Sequence, residues 1–382
     1  MATGSYDIPK LEFSAESWVT TTVPMGAYRG AGRPEATHGI ERIMDRYAVE
    51  IGMDPAELRR RNFIDPEVFP FTTPSGQVYD SGAYADALDA VLDALGIEDL
   101  RADQDRRRGD DECSLLGIGF AAYVEIANPT RAPEFGSVTI RPDGSAVVLT
   151  GSSAHGQSHH TTFAQVAADV LGIDFDLIEV RHGDADEVVR GGGTGGSRSL
   201  QTGGVAVHRA SEAVVENAKR IVAGLLEASD DDVVLDADSG VFSVAGSPTV
   251  HVGWADVAAE AARIGEQLAE EVDFQPSGAT FPFGVHASVV EVDRETGQVR
   301  ILRHVACDDA GIIVNPMIVD GQVHGGIAAG VAQALMEEFR YADDGTPLTT
   351  NFMDYGIVSA VELPPFERIV QETPTEVNPL GV

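Results

Sequence analysis

The chain has 382 residues, enough for roughly two domains, and its 43% hydrophobic residues can build a sizeable core. Acidic residues number 61 against 26 basic ones, and the formal net charge is −35. This balance disfavours nucleic acid and anionic membranes as partners, and acids spread along an otherwise hydrophobic chain indicate a folded, halophilic type of surface.

After an extended start, three helices are predicted in the first 100 residues. Residues 36–51 form the first predicted helix, because apolar residues recur along one face at helical spacing. These are Ile40, Ile43, Met44, Tyr47 and Ile51. A second helix starts at Asp54 as N-cap, with Pro55 at its first position and Glu57 completing a capping box.

A third predicted helix runs from Tyr84 to Leu95 and is stopped by Gly96. The residues after it, 97–114, are charged and poor in apolar side chains, which is typical of a linker. We therefore predict two regions, residues 1–100 and 115–382, joined by a linker at residues 101–114.

The second region alternates strands and helices. Hairpins are predicted over residues 137–150 and 288–306, each with a turn sequence at its centre. Helices are predicted over residues 163–171 and 320–339. The predicted fold class is mixed α/β or α+β, and the pattern alone does not give the topology.

The segment "GAYRGAGRPE", Gly26–Glu35, is the first candidate for a binding loop. Its glycines permit close approach of a ligand, and Arg29 and Arg33 can bind anions as planar forks. The alternative is an ordinary loop before a helix.

The segment "TGSSAHGQSHHTTFAQ", Thr150–Gln165, places Gly156 and Gln157 on a loop between a strand and a helix. A backbone amide and a side-chain amide could both reach a ligand there. Its histidines lack the cysteine or carboxylate partners of a metal site, so we expect them to be solvated and predict no metal ligands.

The segment "GGGTGGSRS", Gly191–Ser199, can form an anion-binding nest of successive peptide N–H groups. It also matches the dinucleotide pattern at Gly191, Gly193 and Gly196, which would make the chain an NAD-dependent dehydrogenase. That pattern requires an apolar strand running directly into the first glycine, whereas "DADEVVR" intervenes.

The last segment, Cys307–Leu335, puts the amide of Gln322 beside Gly321 at a predicted helix start. Asp308 and Asp309 are either a carboxylate pair or, more commonly for such a sequence, a solvated turn or cap.

Only two cysteines are present, Cys113 and Cys307, whereas an iron–sulfur cluster generally takes four. No apolar run reaches the ~18 residues of a membrane span, and the chain does not begin with a signal-peptide pattern. The sequence therefore predicts a cytoplasmic protein.

In order and spacing these four segments resemble the molybdenum hydroxylase large subunits, the family of xanthine dehydrogenase, aldehyde oxidase and aerobic carbon monoxide dehydrogenase. The resemblance covers nearly the whole chain and implies an α+β fold, the elongated two-part molybdopterin-binding region. Residues 1–100 would be the C-terminal part of a first molybdopterin-binding domain. Residues 115–382 would be a second such domain, truncated at its C-terminus.

The resemblance implies a molybdenum–molybdopterin cofactor, often with an attached cytidine nucleotide, and assigns residues to it. Ala27, Tyr28 and Arg29 would line the molybdenum side of the pterin, and Gly156 and Gln157 would contact the pterin and its phosphate. Gln322 would hold the pterin from another side. The residues that would wrap the phosphate or nucleotide are Thr194, Gly195, Gly196, Ser197, Arg198 and Ser199.

Two substrate-pocket positions depart from particular members of that family. Gly30 stands where the carbon monoxide dehydrogenases have a cysteine, which argues against a copper-bridged centre. Ala31 stands where the xanthine oxidoreductases have an aromatic residue, which argues against a purine. The resemblance therefore favours hydroxylation of an aldehyde or N-heterocycle with oxygen from water, the carbon monoxide dehydrogenase type being an alternative.

The family's catalytic glutamate lies in a segment that follows "NPLGV", so the sequence contains no identified catalytic residue. We expect a partial subunit, inactive alone, that passes electrons to [2Fe–2S] and FAD partner subunits and forms a dimer of large subunits. The remaining alternative is a non-catalytic scaffold or gene fragment.

Overall fold

The computed structural model describes residues 2–23, 25–110 and 113–382. The helices in these ranges are α1 Arg33–Ile51, α2 Pro55–Asn62, α3 Tyr84–Leu95, α4 Ile97–Gly109, α5 His159–Leu171, α6 Val205–Leu226, α7 Trp254–Ile264 and α8 Pro316–Leu335. The strands are β1 Phe71–Thr72, β2 Val78–Tyr79, β3 Ser114–Val124, β4 Glu134–Ile140, β5 Ala146–Thr150, β6 Ile178–Arg181, β7 Val233–Asp236, β8 Val241–Val244, β9 Ser247–Gly253, β10 Ala269–Phe274, β11 Phe283–Asp293, β12 Val299–Asp309 and β13 Phe366–Gln371. The predicted mixed α and β class is confirmed.

The chain divides into two compact units that are interleaved in sequence. Unit 1 contains Met1–Glu125, Phe281–Gly311 and Val319–Thr375. Unit 2 contains Ile126–Thr280, Ile312–Ile318 and Glu376–Val382. A division at one linker does not describe this arrangement, because each unit takes its residues from three stretches of chain.

Unit 1 is built on a four-stranded sheet with the order β13-β12-β11-β3. Strand β11 pairs antiparallel with β3 and with β12, and β12 pairs parallel with β13. Helix α3 packs on β11 and β12. Its predicted bounds are confirmed, its apolar residues form its buried face, and Gly96 ends it in the left-handed conformation.

Unit 2 has a four-stranded sheet with the order β10-β4-β5-β6 and a three-stranded sheet β7-β8-β9. Helix α6 lies against β4 and β10, and α5 packs on α6 and β6. The apolar side chains of these elements form one buried cluster. Removing them from water is the main favourable term for this unit.

The segment predicted as a linker is largely helical. Helix α4 reaches Gly109, with ion pairs from Arg106 and Arg107 to Asp103 one turn back. Oppositely charged residues three or four positions apart can stabilise an exposed helix. The small number of apolar residues in this segment therefore did not mean that it was irregular. Asp111 and Glu112, also in the predicted linker, lie outside the described residues.

Both predicted hairpins are present, as β4–β5 and β11–β12. The capping box of α2 is only half present: Asp54 accepts the N–H groups of Ala56 and Glu57. The Glu57 carboxylate turns instead to Arg60 and Arg61. Within the described part of the chain, no helix has the length and apolarity that crossing a bilayer requires.

Candidate functional site

The loop before α1, in unit 1, is a series of tight turns. Ala31 donates its N–H to the Tyr28 carbonyl at 2.7 Å, and Gly30, Ala31 and Gly32 have φ values of +93°, +44° and +98°. A Cβ on Gly30 would lie 2.7 Å from Cδ of Pro34. Position 30 therefore accommodates no side chain unless the loop moves.

Arg29 joins this loop to α8. Its Nη2 donates to the carbonyl of Gln322 at 2.6 Å, and its guanidinium lies over Gly325 and Gly326. The first and last sequence segments therefore meet within unit 1. Part of the Arg29 fork is used for this contact instead of being held out for a ligand.

Gln322 is not at a helix start, contrary to prediction. Helix α8 begins at Pro316, and the Asn315 side chain accepts the N–H of Ile318 at its N-terminus. Gln322 lies in the second turn, with a half-buried side chain. Proline is favoured in the first helical turn, so Pro316 is the signal in the sequence for this helix start.

Gly156 and Gln157 lie on the loop between β5 and α5, as predicted. Gly156 has a φ of +102°, and the Gln157 side-chain oxygen accepts the N–H of His155 at 2.5 Å. Among the described residues the Gln157 NH₂ group has no partner, so this loop offers it as a donor.

The histidines next to this loop are not all solvated. His159 is 4% exposed, and His160 Nδ1 lies 2.9 Å from the Val180 carbonyl oxygen. Burial, with nearby histidines, lowers the pKa of both His159 and His182, which favours their neutral forms. Nδ1 of His159 and Nε2 of His182 are buried with no partner in the described chain. No group of three or more His, Cys, Asp or Glu among those residues has metal-binding geometry.

The glycine-rich loop of unit 2 leads directly into a helix. Strand β6 ends at Arg181, ten residues before Gly191, so no strand runs into the first glycine as a dinucleotide fold requires. The loop ends in a π-helical turn, Ser199–Gly204, that continues into α6. The partially positive N-terminus of this long helix therefore follows the loop at once.

The middle of this loop presents backbone donors. The N–H groups of residues 194–197 have no acceptor among the described residues, and Gly196 and Ser197 have φ values of +59° and +55°. The hydroxyls of Thr194 and Ser199 lie 2.8 Å apart. A run of free N–H groups beside a helix N-terminus fits a phosphate-bearing ligand.

Arg198 has a different setting from the one predicted. It is 8% exposed, and its Nη2 donates to Glu134 at 2.8 Å and to the Pro133 carbonyl at 2.7 Å. These contacts favour a role inside the fold over a direct contact with phosphate. Glu134 itself was missed, and its only signal was an acid in the otherwise uncharged strand β4.

Asp308 and Asp309 are not a carboxylate pair, and Asp309 caps a turn by accepting the N–H of Gly311 at 3.0 Å. They end β12 on opposite faces of its sheet. Asp308 accepts from the Tyr123 hydroxyl at 2.5 Å and lies 2.8 Å from His286 Nε2, whereas Asp309 accepts from Thr373. Burial would raise the pKa of Asp308, but its His286 and Tyr123 contacts hold that pKa below the usual value.

Comparison with protein families gives two matches of the same description. A molybdopterin cofactor-binding domain model matches residues 90–364, and a second one matches residues 1–63.

The chain is similar to curated large subunits over its whole length. It is 38% identical to the carbon monoxide dehydrogenase large chain of Hydrogenophaga pseudoflava, covering 100% of this chain and 49% of that protein. It is 35% identical to the nicotine 6-hydroxylase large subunit of Paenarthrobacter nicotinovorans, covering 100% and 48%. The chain thus spans about half the length of these relatives.

A solved structure of carbon monoxide dehydrogenase from Oligotropha carboxidovorans superposes with a TM-score of 0.90 at 33% identity. The superposition covers 100% of this chain and 50% of the other.

Proposed function

This chain belongs to the molybdopterin-binding family of molybdenum hydroxylase large subunits, and on that premise we propose that it holds a molybdopterin cofactor in a hydroxylase complex. When bound, the cofactor supplies two-electron oxidation of a substrate carbon with oxygen from water. The protein's own task is to bind the cofactor, orient it and shape the pocket.

The observation that carries the proposal is the glycine-rich loop of unit 2. Residues 194–197 offer unpaired N–H groups ahead of α6, and Ser199 adds a hydroxyl. We assign the phosphate, or a cytidine nucleotide attached to it, to Thr194–Ser199. The backbone and hydroxyl groups act as donors, and Arg198 supports them from within.

The other assignments follow the same reasoning. Gly156 and the free NH₂ group of Gln157 would hydrogen-bond the pterin. Ala27, Tyr28 and Arg29 would line the molybdenum side. Gln322 would approach the pterin from α8, and Arg29 donates to its backbone carbonyl.

We propose an aldehyde or N-heterocycle as the substrate class. The turn at Gly30 leaves no space for a side chain, and Ala31 carries only a methyl group, so neither position supplies a metal-bridging thiol or an aromatic ring. The second candidate is carbon monoxide oxidation, which the 38% identity to a carbon monoxide dehydrogenase large chain favours. Against it stands the lack of space for a metal-bridging side chain at position 30.

Electron transfer would require partner subunits. The chain has two cysteines, one exposed and one buried, which is too few for an iron–sulfur cluster. We propose a [2Fe–2S] subunit, an FAD subunit and a dimer of large subunits, with this chain inactive alone.

The test is to co-purify the complex and measure molybdenum by mass spectrometry and pterin by fluorescence after oxidation. We expect both in stoichiometric amounts. Dye reduction by aldehydes or N-heterocycles, but not by carbon monoxide, is expected from a complex that also contains the segment with the family's catalytic glutamate. A folded complex lacking molybdenum and pterin would refute the proposal. Nicotinamide binding by such a complex would support the dehydrogenase instead.

A further inference from the structure

We propose that Glu134 is a positioning residue that fixes the path of the glycine-rich loop, so that the N–H groups of residues 194–197 face a ligand in advance. The inference rests on the proposed function only in naming that ligand as the cofactor's phosphate. Glu134 is 2% exposed and lies at the start of β4.

Four groups of the surrounding chain donate to the Glu134 carboxylate. Arg198 Nη2 and the Ser152 hydroxyl reach Oε2 at 2.8 and 3.3 Å. The N–H groups of Gly192 and Phe135 reach Oε1 at 3.1 and 2.9 Å. The carboxylate therefore binds the beginning of the loop through Gly192 and its end through Arg198.

Close backbone packing also restricts the path of the loop at its beginning. Gly193 donates its N–H to the Gly151 carbonyl at 3.1 Å, and a Cβ on Gly191 would lie 2.3 Å from Cα of Gly151. The Arg198 guanidinium lies against Gly192, where a Cβ would approach Nη1 to 2.3 Å. At Gly191 and Gly192 the loop is thus held between the end of β5 and a charged pair, with no space for a side chain.

The Glu134–Arg198 ion pair also sets the local charge near the proposed phosphate site. A lone carboxylate below a phosphate site would repel the ligand, and the Arg198 charge cancels it at 2.8 Å. Charged hydrogen bonds inside a protein hold their geometry more firmly than neutral ones. This combination presents the loop's donors without adding net negative charge beneath them.

Unit 1 contains a matched control. Glu41 is also buried and accepts from an arginine, a hydroxyl and a backbone N–H, supplied by Arg59, Tyr6 and Ala122. Its Arg59 contact is 2.8 Å, like that of Glu134 with Arg198. Glu41→Gln therefore reports what loss of a comparable buried charge does to stability alone.

The experiment compares Glu134→Gln with Glu41→Gln in the co-purified complex, by hydrogen exchange resolved to single amides and by molybdenum and pterin content. Both variants should lower the unfolding temperature. Only Glu134→Gln should speed exchange at the Gly193 amide, on the order of tenfold to a hundredfold, and lower cofactor content. If Glu134→Gln does not fold, Ser152→Ala removes one donor and should give a smaller increase.

Unchanged exchange at Gly193 in Glu134→Gln, or the same increase in Glu41→Gln, would overturn the proposal. A wild-type complex without pterin would refute the proposed function instead. The exchange measurement would still decide the role of Glu134 in that case, because it requires no ligand.

Discussion

The conformation of the first candidate loop, Gly26–Glu35, depends on Gly30. Its φ of +93° is reached at little cost only by glycine, and the ring of Pro34 closes the space that a Cβ would need. From the sequence, Gly30 is interpreted only as a departure from the pattern of the carbon monoxide dehydrogenases. The physical reason for glycine at position 30 is the tight turn there, and the composition of the loop does not predict that turn.

Replacing Gly30 with alanine should distort this loop. We expect a loss of about 1–3 kcal/mol in the free energy of unfolding, since strain at positive φ adds to the contact with Pro34. Cofactor content of the complex should fall as well. Urea unfolding and molybdenum analysis measure the two effects.

The control is Gly26→Ala in the same loop, where a Cβ would meet nothing within 4 Å. It should behave like wild type. Equal behaviour of the two variants would contradict the role given to Gly30.

At the scale of elements, α1 shows what periodicity can and cannot predict. The helix is present, but Ile43 and Tyr47 of its predicted core face are 61% and 52% exposed. The buried residues are Glu41, Met44 and Ala48. Glu41 turns inward because Arg59 of α2 supplies its counter-charge, a pairing across 18 residues that the pattern within one helix does not contain.

Helix α1 therefore yields a prediction at two adjacent positions. Met44→Ala should cost roughly 2–5 kcal/mol, because it leaves a cavity at a site that is 8% exposed. Ile43→Ala should change the free energy of unfolding by no more than about 0.5 kcal/mol. Urea unfolding of the chain measures both, and a larger effect at Ile43 would mean that its face is the buried one.

Elements governed by local signals were predicted correctly. Helix α3 has its apolar residues and Gly96 in the expected places, and the β4–β5 and β11–β12 turns have their Gly and Asp residues. The error at α4 arose because this helix has hardly any apolar periodicity. The error at the start of α8 arose because Pro316 was not taken as a start signal. The Glu134–Arg198 pair joins residues 64 positions apart, so no local signal pointed to it.

At the scale of the whole molecule, the most prominent feature is the large net negative charge. A net charge of −35 on 382 residues makes the folded chain repel itself, while its many surface ion pairs act in the opposite sense. Such exposed pairs contribute about 0–1 kcal/mol each and weaken in salt. The salt dependence of stability therefore shows which of the two effects is larger.

We expect the unfolding temperature to rise with KCl, because the range of repulsion shrinks from about 10 Å at 0.1 M to about 3 Å at 1 M. Differential scanning fluorimetry across this range measures it. Sucrose at matched osmolality is the control for general exclusion effects. A falling unfolding temperature would mean that ion pairs outweigh repulsion and that the acidic surface is not an adaptation to salt.

The interleaved units have a consequence for how the chain is made. Strand β3 ends at Val124, and its partner β11 begins at Phe283, so 158 residues (125–282) are synthesised between them. At ~5–20 residues per second, β3 waits roughly 8–30 s on the ribosome before it can pair. Strands β4 and β5, in contrast, are separated by a short turn and can pair at once. Unit 2 is thus free to begin folding while the central sheet of unit 1 still has an open edge, and in a living cell that interval is when chaperones would be needed most.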